Sequence, residues 1–321
     1  MAFWNRESEV EKQTRLRREQ ENQDSLEALK NGGLPLQAVH RLKEARANSD
    51  RFFTSDLTSN EHLLTREAGY EPIGQVMGSA FYKVSYRAYY SGGWGSTGEL
   101  TLLSHAQLAA RELAVDRLTQ EAKLLGAHGV IGVRLKLGNY DWSANLVEFT
   151  AIGTAIRIPG RKSAAEPFTS DLSGQEFWQL HQSGYWPRAI VLGVCSYYIY
   201  GTYQTRALLN NYWGSGRSNQ EISEFTQGFQ QARHIAMDRL KADIRRAKAE
   251  GCVGMHIDME VEDIEYELND VTYHDLLVQF IAVGTAISHD DQPQPPPAKT
   301  LTMVNLKDKS KSLIQIDNIR E

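Results

Sequence analysis

Phe53-Thr54-Ser55-Asp56-Leu57 returns 115 residues later as Phe168-Thr169-Ser170-Asp171-Leu172, and Ala151-Ile152-Gly153-Thr154-Ala155-Ile156 returns as Ala282-Val283-Gly284-Thr285-Ala286-Ile287. Between these strings the correspondence holds. Gly69-Tyr70, Pro72, Gly78 and Tyr82 reappear as Gly184-Tyr185, Pro187, Gly193 and Tyr197. Ala114-Val115-Asp116-Arg117-Leu118 reappears as Ala236-Met237-Asp238-Arg239-Leu240, and Gly129 and Gly132 as Gly251 and Gly254. Self-similarity on this scale marks a tandem duplication, with the second copy carrying short insertions.

Each copy has the same local grammar. Thr58 with Glu61, and Ser173 with Glu176, have the capping-box spacing that opens a helix. Gly69 and Gly184 suit the left-handed residue that closes it, with Pro72 and Pro187 just beyond. Residues 73–90 and 189–205 then read as strands, each followed by a glycine-bearing loop. Apolar residues at helical spacing predict a long amphipathic helix over 106–125 and again over 222–244. Strands are expected at 130–137 and 146–158, matched by 252–261 and 276–287. The predicted fold class is α+β: two tandem β-α-β-β two-layer domains, each preceded by a short helix.

The strings "GAHGVIGVRL" and "VEFTAIGTAI", and their counterparts "EGCVGMHIDM" and "VQFIAVGTAI", resemble the YbjQ-like heavy-metal-binding domain family. The resemblance implies a dodecin-like unit with an antiparallel sheet, and subunits that form fivefold rings. It divides the chain into a charged helical segment (1–50), a first YbjQ-like repeat (53–158), a second (168–288), a proline-rich linker (289–298) and a short tail (299–321). The N-terminal segment, two helices broken at Asn31-Gly32-Gly33-Leu34-Pro35, resembles the short helical oligomerisation modules called SHOCT.

Composition narrows the function. Of 321 residues 41% are hydrophobic and 23% charged, as in a globular protein, and the net charge of -5 offers no basic field to nucleic acid. The most apolar stretch, 276–287, is shorter than the ~20 residues of a membrane span. Two cysteines make no disulfide framework, and no signal peptide opens the chain, so the cytoplasm is the expected compartment.

Chemistry is harder to find. No P-loop, nucleophile elbow or dinucleotide fingerprint occurs, so no catalytic residue is assigned and the protein is read as a non-enzyme. No histidine occupies the same place in both copies, and Cys195 and Cys252 read as core thiols without ligand-spaced partners. No metal ligand is therefore assigned, and the cofactor is unknown. The acidic run from Asp258 to Glu267 reads as a solvated hairpin face, with a hard-cation site as the alternative.

The strand glycines Gly132, Gly153, Gly254 and Gly284 point to close approach between subunits, or to bulges that curve the sheet. Asp116, Arg117, Asp238 and Arg239 are candidates for pairing between units, and Trp94 and Trp213 for partner or ligand contact on glycine-bearing loops. The expected protein is a ring-forming homo-oligomer of scaffold type, five chains in two stacked rings of like copies. Its N-terminal helices or C-terminal tail would recruit a protein partner. The alternative is a ring that holds a heavy metal ion or small ligand between subunits.

Overall fold

The computed structural model describes residues 9–47, 54–83, 96–139, 146–161, 165–209, 219–268 and 271–290. In chain order these form α1 (Glu9–Lys30), α2 (Leu36–Ala47), α3 (Ser59–Glu67), β1 (Glu71–Lys83), β2 (Gly98–Glu99), α4 (Thr101–Leu125), β3 (Gly129–Asn139), β4 (Leu146–Arg157), β5 (Phe168–Thr169), α5 (Gly174–Gln182), β6 (Tyr185–Ile199), α6 (Tyr203–Leu209), α7 (Ser223–Arg246), β7 (Gly251–Leu268) and β8 (Val271–His289). The α+β class and the twofold repetition are present. Trp94, Trp213, Phe53 and the 299–321 tail lie outside the described residues.

Both capping boxes form: the Thr58 and Ser173 hydroxyls accept from the Glu61 and Glu176 amides, and each glutamate reaches back to the cap. Gly69 and Gly184 then take φ of 81° and 80°. The first long helix begins earlier than periodicity alone indicates, at Thr101, while the second begins at Ser223 as expected; β7 and β8 run much longer than their counterparts, pairing from Gly251 with Ile287 out to Glu267 with Thr272 with one register shift between Val253 and His256. The acidic run thus lies on β7, an edge strand. The expected strand to Thr205 ends at Ile199, because Thr205 belongs to α6.

Two four-stranded sheets result, ordered β1-β4-β3-β5 and β2-β6-β8-β7. Each borrows a strand from the other copy. β2 pairs antiparallel with β6, and β5 pairs parallel with β3, so the antiparallel sheets expected from the resemblance acquire one parallel edge. Successive side chains of a strand point to opposite faces, which fixes the layers. Val191, Cys195 and Tyr197 of β6 pack on α7, whereas Ile190 and Leu192 join the cluster built around α4. The order is first sheet, α4, second sheet, α7. Ten residues of α4 are buried against four of α7, since α4 is covered on both sides. Residues of both copies therefore meet in the cluster around α4, while α7 covers a second cluster made by copy two.

The polar chemistry of α4 follows the same logic. The Ser104 hydroxyl accepts from the Ser196 amide at 2.9 Å, and Gln107 bonds both the Ser196 hydroxyl and the Gln279 amide group. A helix facing only solvent on that side would have no use for these groups. α2 closes the flank of α4, with Leu34 and Leu42 buried in the core.

Candidate functional site

The repeated strings meet in space. The Ser55 hydroxyl bonds the Thr154 hydroxyl at 3.2 Å, and the Asp56 amide donates to Thr154 Oγ1 at 3.0 Å. In copy two the Ser170 and Thr285 hydroxyls, and the Asp171 amide with Thr285 Oγ1, make the same bonds at 3.0 and 3.0 Å. The recurrence of both strings is thus one device, a short segment clamped to the last strand by a hydroxyl pair, part-buried in copy one and buried in copy two. Sequence reading missed it, although the joint recurrence of the two strings was its signal.

Gly132 and Gly254 sit where β3 and β7 lose register with their neighbours, with φ of 62° and 64°. A bulge with a left-handed glycine explains both. Gly153 and Gly284 are crowded by their own chain: a Cβ there would lie 2.7 Å from Val130 Cγ1 and 2.6 Å from Cys252 Sγ.

The paired helix residues hold layers together. Arg117 Nη1 donates to the Ser79 carbonyl at 2.6 Å, and Arg239 Nη1 to the equivalent Val194 carbonyl at 2.7 Å. Arg117 also holds the Leu29 and Gly33 carbonyls, anchoring the N-terminal helices, while Arg239 pairs with Glu99 of the first copy. Asp238 is exposed beside Lys241 and His234. Burial and the neighbouring Glu112 push the Asp116 carboxyl above its usual range.

A cluster that the sequence did not announce joins the copies. Arg161 makes two bonds to Asp290, at 2.9 and 2.8 Å, and stacks 3.3 Å above the Trp186 ring. His181 Nδ1 is bonded by the Tyr70 hydroxyl, and its Nε2 lies 3.3 Å from Asp290. Phe168, Phe177 and Trp186 seal the group. Burial foremost, with the Arg161 charge, lowers the His181 imidazole to about 4, against attraction from Asp290. It is neutral at pH 7.

Between the ordinary value of 6.5 and about 4 the unfolded chain takes up a proton that the folded chain refuses. Stability should therefore fall as pH drops through that window, by at most about 3 kcal/mol from this residue. Thermal melts of wild type and His181→Asn from pH 7 to pH 4 check this. The variant should be weaker at pH 7 and flatter with pH; parallel curves would exclude His181 as the cause.

Among the described residues no three His, Cys, Asp or Glu side chains are placed to hold an ion. Cys195 is buried and Cys252, read as core, is half-buried. Burial pushes their thiols up to about 12 and about 11, away from the thiolate a soft metal requires. His128 Nδ1 is engaged as acceptor from the Ile158 amide at 2.8 Å. On the acidic strand His256 pairs with Asp258, and His274 of β8 reaches Asp263 of that strand.

Comparison with known proteins places a family match in the first copy. Residues 94–159 match the YbjQ_1 family, described as "Putative heavy-metal-binding". Over 61 residues, 19% of this chain and 56% of each relative, it is 39% identical to the UPF0145 protein BH0643 of Halalkalibacterium halodurans and 36% identical to a UPF0145 protein of Enterococcus faecalis. Over 249 residues it is 36% identical to the encapsulin nanocompartment protein Rv1762c of Mycobacterium tuberculosis, covering 76% of this chain and 88% of that one. On that match, and with a YbjQ-type domain inside its first repeat, the chain belongs to the family of the encapsulin nanocompartment protein Rv1762c.

Proposed function

We propose that this protein is a non-enzymatic building block of a homo-oligomeric assembly working in the cytoplasm, related in role to the nanocompartment protein whose family it shares. The observation that carries the reading is two sets of exposed apolar side chains, one on the outer face of the first sheet and one on edge strand β7. Met77 and Phe81 stand 47% and 56% exposed on the outer face of the first sheet, and Met255, Met259 and Val261 are about half exposed on edge strand β7. Isolated exposed apolar residues are ordinary, but groups of them on sheet faces and long open edges favour association. The fivefold ring implied by the YbjQ resemblance makes five chains the expected size. The interface glycines and helix charges act in this reading by shaping and stiffening the unit that associates.

Light scattering and native mass measurement of purified protein test the proposal. A discrete oligomer is expected at micromolar concentration, and a stable monomer of 36.2 kDa would end it. Elemental analysis of the same sample separates the scaffold from a metal-holding ring. A near-stoichiometric transition metal that survives Cys195→Ala with Cys252→Ala would favour the second.

A further inference from the structure

Copy two is received by copy one in two ways. First, its 168–172 segment lies along the outer edge of β3: the Ser170 amide donates to the Val130 carbonyl at 2.9 Å, Gly132 to the Leu172 carbonyl at 2.8 Å, and Val133 to the Ser170 carbonyl at 2.9 Å. Phe168, Thr169, Ser170 and Leu172 are buried there, as are Val130, Ile131 and Val133 beneath them. Second, the α4 side of β6, with Leu192 at 3% exposure, packs on that helix of copy one.

Among the described residues the same surfaces exist once more without a partner copy. Thr54, the counterpart of Thr169, is exposed, and Ser55 and Leu57 are half-buried. Cys252 and Val253, the counterparts of Val130 and Ile131, are half-buried, while Gly254 and Met255 are exposed and skip the β8 register. Met77 is the counterpart of Leu192 and is 47% exposed. Leu63, at the place of the half-buried Trp178, stands 59% exposed. One contact is made inside the chain, and both of its halves are left over at the two ends.

We infer that chains join head to tail by repeating between chains the contact that joins the two copies within one. The partner is a second copy of this chain: its Thr54–Leu57 segment adds to the edge of β7 at Gly251–Met255, and its Met77 side of the first sheet lies on the outer side of α7. This rests on the assembly reading and supplies its geometry. The Ser55 amide then donates to the Cys252 carbonyl, and the Gly254 and Met255 amides donate to the Leu57 and Ser55 carbonyls. A contact between different surfaces propagates until it closes, so first and second copies alternate in one sequence around the particle. Five chains would carry ten alternating copies, in place of the two stacked rings of like copies expected from the sequence. His62, Arg66 and Glu71 stand where copy two has Phe177, His181 and Trp186. The joint between chains is accordingly more polar than the one within, and more sensitive to salt.

Gly251 tests the idea without disturbing the chain. Its counterpart Gly129 lies under the Phe168 ring, 2.1 Å from where a Cβ would sit, whereas nothing lies within 4 Å of a Cβ at Gly251. Gly251→Val should keep the circular dichroism and cooperative melt of the wild type yet scatter as a 36.2 kDa monomer at concentrations where the wild type is assembled. Oxidised Thr54→Cys should form a ladder of linked chains through Cys252, because the equivalent pair Val130 and Thr169 are register partners. Adding Cys252→Ala should abolish the ladder. An assembled Gly251→Val protein, or assembled Thr54→Cys protein that forms no ladder, would overturn the head-to-tail joint while leaving assembly itself standing. A monomeric wild type would overturn both.

Discussion

Gly78→Val and Gly193→Val should each abolish cooperative folding. A Cβ at Gly78 would lie 1.9 Å from the Ala114 carbonyl oxygen and 2.5 Å from the Leu118 amide, and one at Gly193 would lie 2.1 Å from the Ala236 carbonyl oxygen. These obstacles are helix backbone, which no rotamer change relieves. Relief requires α4 or α7 to lift from its sheet along its whole length, opening the cluster that buries Val76, Ala80, Ala114 and Leu118 or its counterpart around Val191, Cys195 and Ala236. Overpacking against movable side chains costs ~1–3 kcal/mol, and the rigid contact here should cost more than about 3 kcal/mol, a large share of a domain's stability. Urea unfolding followed by tryptophan fluorescence and circular dichroism checks it. A wild-type midpoint in Gly78→Val would show that the helix does not sit this close.

Gly153→Val and Gly284→Val should destabilise the chain by about 2–3 kcal/mol each before assembly is affected. At Gly153 the added atoms meet Val130 Cγ1 at 2.7 Å and Val133 Cγ2 at 2.9 Å, and at Gly284 they meet Cys252 Sγ at 2.6 Å with Val253 O at 3.2 Å. All these neighbours belong to the same chain, so the loss should not depend on protein concentration. A variant with wild-type unfolding that nevertheless dissociates would return these glycines to a contact between subunits. Gly251→Val, on the open edge, is the complementary case: little effect on the chain and a large one on the oligomer.

How legible each feature was depended on the range of the interactions behind it. The capping boxes at Thr58 and Ser173 and the left-handed Gly69 and Gly184 could be read because their partners lie within four residues. The bulges at Gly132 and Gly254 were half legible, since glycine inside a strand announces an irregularity but not its kind. Arg117 and Arg239 could be picked out, but not the carbonyls they hold. Their carbonyl partners, Ser79 and Val194, lie on another strand of the same copy, and nothing local to a helix reveals which strand passes beneath it. The cluster of Tyr70, Arg161, His181, Trp186 and Asp290 was invisible, for it gathers residues from five places spread over 220 positions and has no equivalent in the repeat.

By itself the sequence determined the duplication, the α+β class, the order of elements in each copy and the chemistry that starts and stops the short helices. These follow from near-neighbour hydrogen bonds and from side-chain periodicity, which a linear string preserves. Only the tertiary structure decided how the copies meet. The exchange of β2 and β5, the burial of α4 on both sides and the Ser–Thr clamps depend on pairings 39 to 115 residues apart. Backbone edges carry no residue identity, so a strand can be recognised from its side chains while the strand it will pair with cannot.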